Sequence, residues 1–241
     1  FYLRRMTILL LIGLINLTFL FWGDILIVYA LLGMVLILFR GLSQKALLAT
    51  GLALVFIPPV VGGLLDAVTG PVHGLAGWSS ADLQARFDAL APAYLGSDFL
   101  AYVRANFAYY SLHNLGETPY AVVYNLGVLG LFVLGVWTAR KGVLTAVDAH
   151  RPLLRRIALV ALPLGLVIGA VQATRRLGIE LDGPLYGLVT ASYLGLPLMA
   201  FGYIAILALW ISRGGAWLTR LLSPMGRMAL TGYLASNGIG A

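Results

Sequence analysis

The sequence has 241 residues, 61% of them hydrophobic and 10% charged, with a formal net charge of +7 and a mean hydropathy of +0.94. Soluble domains carry about 25% charged residues and are less than half apolar, so an ordinary soluble domain is excluded and a polytopic membrane protein is indicated. The positive residues stand in short clusters at the ends of apolar runs, a pattern that orients a membrane protein and argues against a nucleic-acid partner; with no cysteine, disulfides, thiolate metal sites and a cysteine nucleophile are excluded too.

A spanning helix needs about 20 apolar residues, and seven segments qualify or nearly do, giving an all-α transmembrane bundle of about seven helices. Residues 1–5 lead into the first apolar run with no small-residue cleavage site, so no cleavable signal peptide is read. The first segment covers 6–21 and turns at Trp22-Gly23-Asp24; the second covers 25–39 and is completed by Trp22 and Phe39 at its two interfaces. A polar turn over 40–45 precedes the third, 46–65, which Pro58-Pro59 is predicted to kink or end early. Beyond a polar stretch follow 120–139, 153–174 and 185–211, and a last segment runs from Met225 to Ala241. The chain starts without Met and stops inside this segment, so further sequence is expected at both ends. The organisation is one integral membrane domain in three parts: helices over 1–65, a loop over 66–118 and helices over 119–241.

Counting Lys and Arg in alternate loops fixes the predicted orientation. With the N-terminal end in the cytoplasm, twelve positives fall inside, at that end and in loops 40–45, 140–156 and 213–227; only Arg86, Arg104, Arg175 and Arg176 fall outside. All acids but Asp148 lie on the outer side, including Asp24, Asp66, Glu180 and Asp182. The 66–118 segment is therefore read as extracytoplasmic. In it, Ser79 with Asp82 resembles a capping box that opens a short helix ended by Pro92. A second helix starts at Ser97 and carries Phe99, Val103, Phe107 and Tyr110 as an apolar stripe. Neither is long enough to span, so both are read as amphipathic helices on the outer interface or over the bundle, with Tyr102, Tyr109 and Tyr110 at headgroup depth.

Small residues recur every four positions at Ala161, Gly165, Gly169 and Ala173, and at Gly187, Ala191 and Gly195. Such stripes let helix backbones approach closely in lipid, within one chain or between copies, so an oligomer through these faces is a possible partner state beside membrane lipid. Gly178 to Pro184 is the expected turn between the two helices.

The sequence contains no G-x-S-x-G, Walker A, H-E-x-x-H or dinucleotide motif and no evident cofactor or metal site, so an active site would be assembled from scattered polar residues. Polar groups in apolar spans are costly to bury without a partner or a purpose. Asn16 lies mid-span about two turns before Asp24, beside Trp22 at the hairpin tip; each reads either as a structural bond or cap or as part of a site. His113 and Glu117, four apart, would share the face of a continuous helix as a base and its orienting carboxylate, or belong to a surface turn. His73 sits in a Gly/Pro-rich loop, Asn125 and Gln172 read as helix glue or ligands, and Arg227 fits the positive-inside pattern.

Residues 129–140 (LGLFVLGVWTAR), 150–156 (HRPLLRR) and 223–234 (SPMGRMALTGYL), with the early hairpin 13–26 (GLINLTFLFWGDIL), resemble in order and spacing the YeiB-like bacterial inner-membrane family, domain of unknown function four hundred and eighteen. The resemblance covers nearly the whole chain and is most specific at Gly-Arg-Met-Ala-Leu-Thr, 226–231. Family members usually have His where this chain has Asn16, and Asn where it has Gly232. Since the family is grouped with transmembrane acyltransferases, the resemblance implies a bacterial inner-membrane location, acyl transfer from an acyl-CoA donor and an envelope or small polar acceptor. Asp24, His113 and Glu117 are then the catalytic candidates, and Asn16, Trp22, Asn125 and Arg227 the substrate-binding ones. A transporter or export partner for a small metabolite, drawn by the acidic outer face, and a structural membrane subunit are the alternatives.

Overall fold

The computed structural model describes residues 1–69, 80–115, 119–177 and 194–240; Ser79, His73, Glu117, Glu180, Asp182 and the 178–184 turn lie outside them. Ten α-helices and no strand occur among the described residues: α1 Tyr2–Phe19, α2 Leu26–Val35, α3 Gln44–Thr69, α4 Ser80–Leu95, α5 Phe99–Asn114, α6 Pro119–Lys141, α7 Arg151–Arg176, α8 Gly195–Ile211, α9 Ala216–Arg227 and α10 Ala229–Gly240. A 3₁₀ turn, Leu36–Gly41, extends α2. The chain is an all-helical membrane protein. Four helices have the length and apolarity to cross a bilayer, over Tyr2–Phe19, Gln44–Gly62, Ala121–Lys141 and Arg151–Thr174, and Leu26–Gly41 and Gly195–Ile211 are shorter apolar helices.

The helices are apolar on their outer faces as well as inside, unlike those of a soluble bundle, and their buried residues are aliphatic and small ones with a few polar groups, Asn16, Asp24 and Asn106. On α1, Ile8, Leu11, Ile15 and Phe19 are exposed while Gly13, Asn16 and Leu17 are buried. Lipid solvates the outer side chains as well as a protein core would, so pairing depends on close backbone approach. Glycines supply it. A Cβ at Gly202 of α8 would stand 2.5 Å from Leu162 Cβ of α7, and one at Gly165 of α7 would stand 2.7 Å from the Met199 backbone nitrogen. Gly195 likewise meets Gly169 of the α7 stripe, a Cβ there standing 3.1 Å from the Gly169 nitrogen, while Gly187 and Ala191 lie outside the described residues. The α3 and α6 pair uses the same device, with Gly130 against the Gly51 carbonyl oxygen. The Arg140 guanidinium at the end of α6 donates to the carbonyls of Arg40 (2.6 Å) and Leu42 (3.1 Å), which brings the 40–45 and 140–150 turns to one end of the fold.

Several boundaries differ from those predicted. α3 runs on through Pro58-Pro59 to Thr69. The prolines remove two donors from its ladder, but in an apolar setting no water competes for the remaining backbone bonds. α4 likewise passes Pro92 and ends at Leu95. α5 is capped by Asp98 in place of Ser97, its carboxylate accepting from the nitrogens of Leu100 (2.8 Å) and Ala101 (3.2 Å). The apolar stripe is split: Phe99 and Phe107 are exposed, whereas Tyr110 is in the core instead of at headgroup depth, and α5 buries it with Ala105, Asn106 and Leu112 against α1 and α6. α5 ends at Asn114 just after His113, and Glu117, expected to share its face, lies outside the described residues. The last segment is two helices separated at Met228, after Pro224 and Gly226 have weakened the ladder.

Gly202→Leu should lower the stability of the detergent-solubilised protein by about 1–3 kcal/mol through overpacking against Leu162, read as a fall in thermal midpoint. Gly135→Ala, where nothing stands within 4 Å of the added carbon, should leave the midpoint unchanged or raise it through about 0.5–1 kcal/mol of helix propensity.

Candidate functional site

The turn between α1 and α2 is organised by Asp24. α1 ends where the Asn16 carbonyl accepts from both Leu20 (2.8 Å) and Phe21 (2.9 Å) nitrogens, and the chain folds back so that Asp24 Oδ1 accepts from the Ile27 nitrogen at 2.9 Å, a cap for α2. The return is tight because Gly13 has no side chain: a Cβ there would lie 2.9 Å from Asp24 Oδ1 and from the Ile27 nitrogen. Asn16 Nδ2 donates to Asp24 Oδ2 at 2.7 Å. Both residues are buried, with 1% and 0% of their surface exposed.

Two later helices close on this pair. Asn237 Nδ2 of α10 donates to Asn16 Oδ1 at 3.3 Å, and the Tyr233 hydroxyl accepts from the Ile25 nitrogen at 3.2 Å. From α5, Asn106 Nδ2 donates to the Leu17 carbonyl at 3.0 Å, and Tyr110 packs with Leu17, Ile27 and Val28 in a shared core. Burial raises the Asp24 carboxyl above its usual value; donors from Ile27, Asn16 and Leu26 oppose that rise without cancelling it. The arrangement is that of a clamp, since the known donors occupy both carboxylate oxygens and no surface is left for a substrate.

Against this knot lies an aromatic wall. The Trp22 ring stands 4.3 Å from Tyr109 and 5.5 Å from His113 between centroids, while Phe87 of α4 stacks on Tyr109 at 4.4 Å and lies 5.1 Å from His113. Tyr94 meets Tyr102 edge to face at 5.6 Å, and the Tyr102 hydroxyl donates to the Leu20 carbonyl at 3.2 Å. Between the hairpin tip and α4 and α5 opens a cleft of about 420 Å³, lined by Leu20, Phe21, Trp22, Phe87, Asp88, Ala91, Tyr94, Tyr102 and Tyr109. Burial pushes the Tyr94 phenol up to about 12, with Tyr102 and Tyr109 adding to the shift, and holds His113 below its ordinary value. Burial thus favours the neutral imidazole of His113, whose buried Nδ1 has no hydrogen-bond partner among the described residues.

Of the residues singled out in the sequence, the structure brings Asn16 to Asp24 and Trp22 to His113. Asn125 lies apart from both pairs in its bonding: its Nδ2 donates to the Asn114 carbonyl at 2.7 Å and ties α6 to the end of α5. Arg227 is exposed at the end of α9. Asn106, Tyr233 and Asn237 were not singled out, although the logic that selects Asn16, an amide in an apolar helix, also fits Asn106 and Asn237. No group of three His, Cys, Asp or Glu side chains with metal-binding geometry occurs among the described residues.

Residues 138–241 match the family described as "Protein of unknown function (DUF418)". This C-terminal part of the chain is thus similar to the family that its sequence resembles. The chain is also 31% identical over 250 residues to "Uncharacterized protein YxaH" of Bacillus subtilis (strain 168), an alignment that takes in 97% of this chain. It spans 56% of YxaH's length. No solved structure matches it. The DUF418 match covers α7 to α10, whereas the hairpin knot and the aromatic wall lie ahead of it apart from Tyr233 and Asn237.

Asp24→Ala should destabilise the protein by about 2–4 kcal/mol, since it leaves at least the Asn16 and Ile27 donors buried and unmatched. Because the folded-state value of Asp24 is raised, its contribution to stability is full below the unfolded value of 3.8 and is lost as pH rises through the raised folded value. Thermal midpoints measured across that window should therefore fall with rising pH more steeply for the wild type than for Asp24→Asn.

Proposed function

We propose that this membrane protein transfers an acyl group to a polar acceptor that enters the cleft beside Trp22. The reading rests chiefly on the imidazole of His113, which is kept towards its neutral form by burial and whose ring packs against Trp22, Phe87 and Tyr109, three residues that line the cleft. An acyl-CoA donor, as the family resemblance implies, would supply the activated carbonyl. His113 would take the proton from the acceptor hydroxyl or amine as the new acyl bond forms and the thioester bond breaks, and would return it to the leaving thiolate. Asp24 and Asn16 would act by holding the hairpin that presents Trp22.

The same reading places the protein in the bacterial inner membrane with the cleft on the outer side. The positive charges support it, because Arg40 and Arg140, which come together, belong to loops counted as cytoplasmic, while Trp22, Phe87 and Tyr109 belong to segments counted as external.

The test is transfer of label from radioactive acyl-CoA to envelope extract by the protein in nanodiscs. His113→Asn should reduce transfer by about 10²-fold or more while leaving the helix content intact. The wild-type rate should hold down to below pH 6.5, the ordinary histidine value, before its acid limb begins. Absence of both transfer and donor binding would overturn the reading.

A further inference from the structure

The cleft over the hairpin tip has a composition that selects among acceptors. Among the described residues Asp88 is the one charged residue that lines it, and Gln84 Nε2 orients that carboxylate with a bond of 2.8 Å to Oδ1. Three tyrosines, Tyr94, Tyr102 and Tyr109, also line it; the Tyr94 hydroxyl oxygen is buried and that of Tyr102 is bonded to the Leu20 carbonyl. The rings do not form a flat platform of the kind on which a sugar stacks. Phe87 and Tyr109 stack at 24°, but Trp22 is tilted 40° to Tyr109, and Tyr94 is at 72° to Tyr109 and 85° to Tyr102, so the lining presents a stacked pair with Trp22 and Tyr94 turned out of its plane. Aromatic faces attract cations through their quadrupole, and several rings in different planes with one carboxylate form a cage for an ammonium group.

We propose that this cleft binds an organic cation, a quaternary or primary ammonium group held among Trp22, Phe87, Tyr94, Tyr102 and Tyr109 and neutralised by Asp88. The volume, about 420 Å³, lies at the lower end of the range for small-molecule sites and suits a head group of choline size with its first substituent. The inference rests on the cleft assigned above as the acceptor site but not on acyl transfer. The ammonium group can belong to a free amine or to a lipid head group, and the chemistry that recognises it is the same.

Calorimetric titration of the detergent-solubilised protein, without acyl donor, tests it directly. Choline and tetramethylammonium should bind at one site per chain, and 3,3-dimethyl-1-butanol, the neutral isostere of choline, and glucose at least about tenfold more weakly. Asp88→Asn, at an exposed position that leaves the ring wall intact, should weaken choline by about tenfold, and Tyr109→Leu by a similar factor. Circular dichroism establishes that each variant keeps its helix content. Equal binding of the isostere, preferential binding of glucose, or no choline binding by the folded wild type would overturn the proposal. Choline binding weakened in phosphatidylcholine nanodiscs relative to phosphatidylglycerol ones identifies the head group as the natural source, and equal binding in the two identifies a free solute. Loss of transfer with choline binding retained counts against the acyl-transfer reading alone; transfer retained without choline binding counts against the cation site alone.

Discussion

A carboxylate that is wholly buried beside an apolar helix must be surrounded by donors, and in this protein that requirement shapes the outer end of the fold. Asp24 takes the Ile27 nitrogen and the Asn16 amide, and Asn16 in turn takes the Asn237 amide. Each donor comes from a different point in the chain, so satisfying one acid joins α1, α2 and α10. Gly13 is part of the same constraint, because only a residue without a side chain lets the α2 backbone come down on the acid. The knot is then the fixed base on which Trp22, two residues before Asp24, is held against α5.

Elsewhere polar bonds are fewer and the pairing of helices depends on glycine. α7 meets α8 through Gly165 and Gly202, and α3 meets α6 through Gly51 and Gly130. These contacts bring backbones together with little polar chemistry, as expected where lipid offers the side chains no penalty for exposure. The division is physical: glycine pairs make the membrane part, and buried amides and a carboxylate make the end that carries the cleft.

Much of this was legible from the residues. Composition and segment length specified an all-helical membrane chain, and the four-residue spacing of small residues identified the α7 face that packs. Asn16 and Asp24 stood out because polar groups are rare in such runs, and the structure joins them. The inward face of α5 was not legible from its apolar stripe. Phe99 and Phe107 satisfy a helical period yet point outward, because beside a membrane apolar periodicity marks the lipid-facing side as readily as the core. The inward side is marked by Asn106 and by Tyr110, the one member of the stripe that is buried, and their partners on α1 and α2 are some 80 to 90 residues away in sequence. The helix that passes Pro58-Pro59 was misjudged for a related reason: proline rules learned in water overstate its power to end a helix where no water waits to take the freed carbonyls.

The knot and the wall also divide the chemistry between them. An acid with no exposed surface and with donors on both oxygens is poorly placed to meet a substrate, but it is well placed to fix the backbone from which Trp22 projects. Asp88 has the opposite character, being exposed, tethered by a single amide and present in the cleft itself. His113 stands between the two regimes: its ring contacts Trp22, Phe87 and Tyr109, and burial keeps it uncharged without locking it in a hydrogen bond at Nδ1. A neutral imidazole beside the cleft adds no positive charge to repel an ammonium group, so the condition that makes His113 a competent base is also the one that leaves Asp88 as the charge the cleft presents.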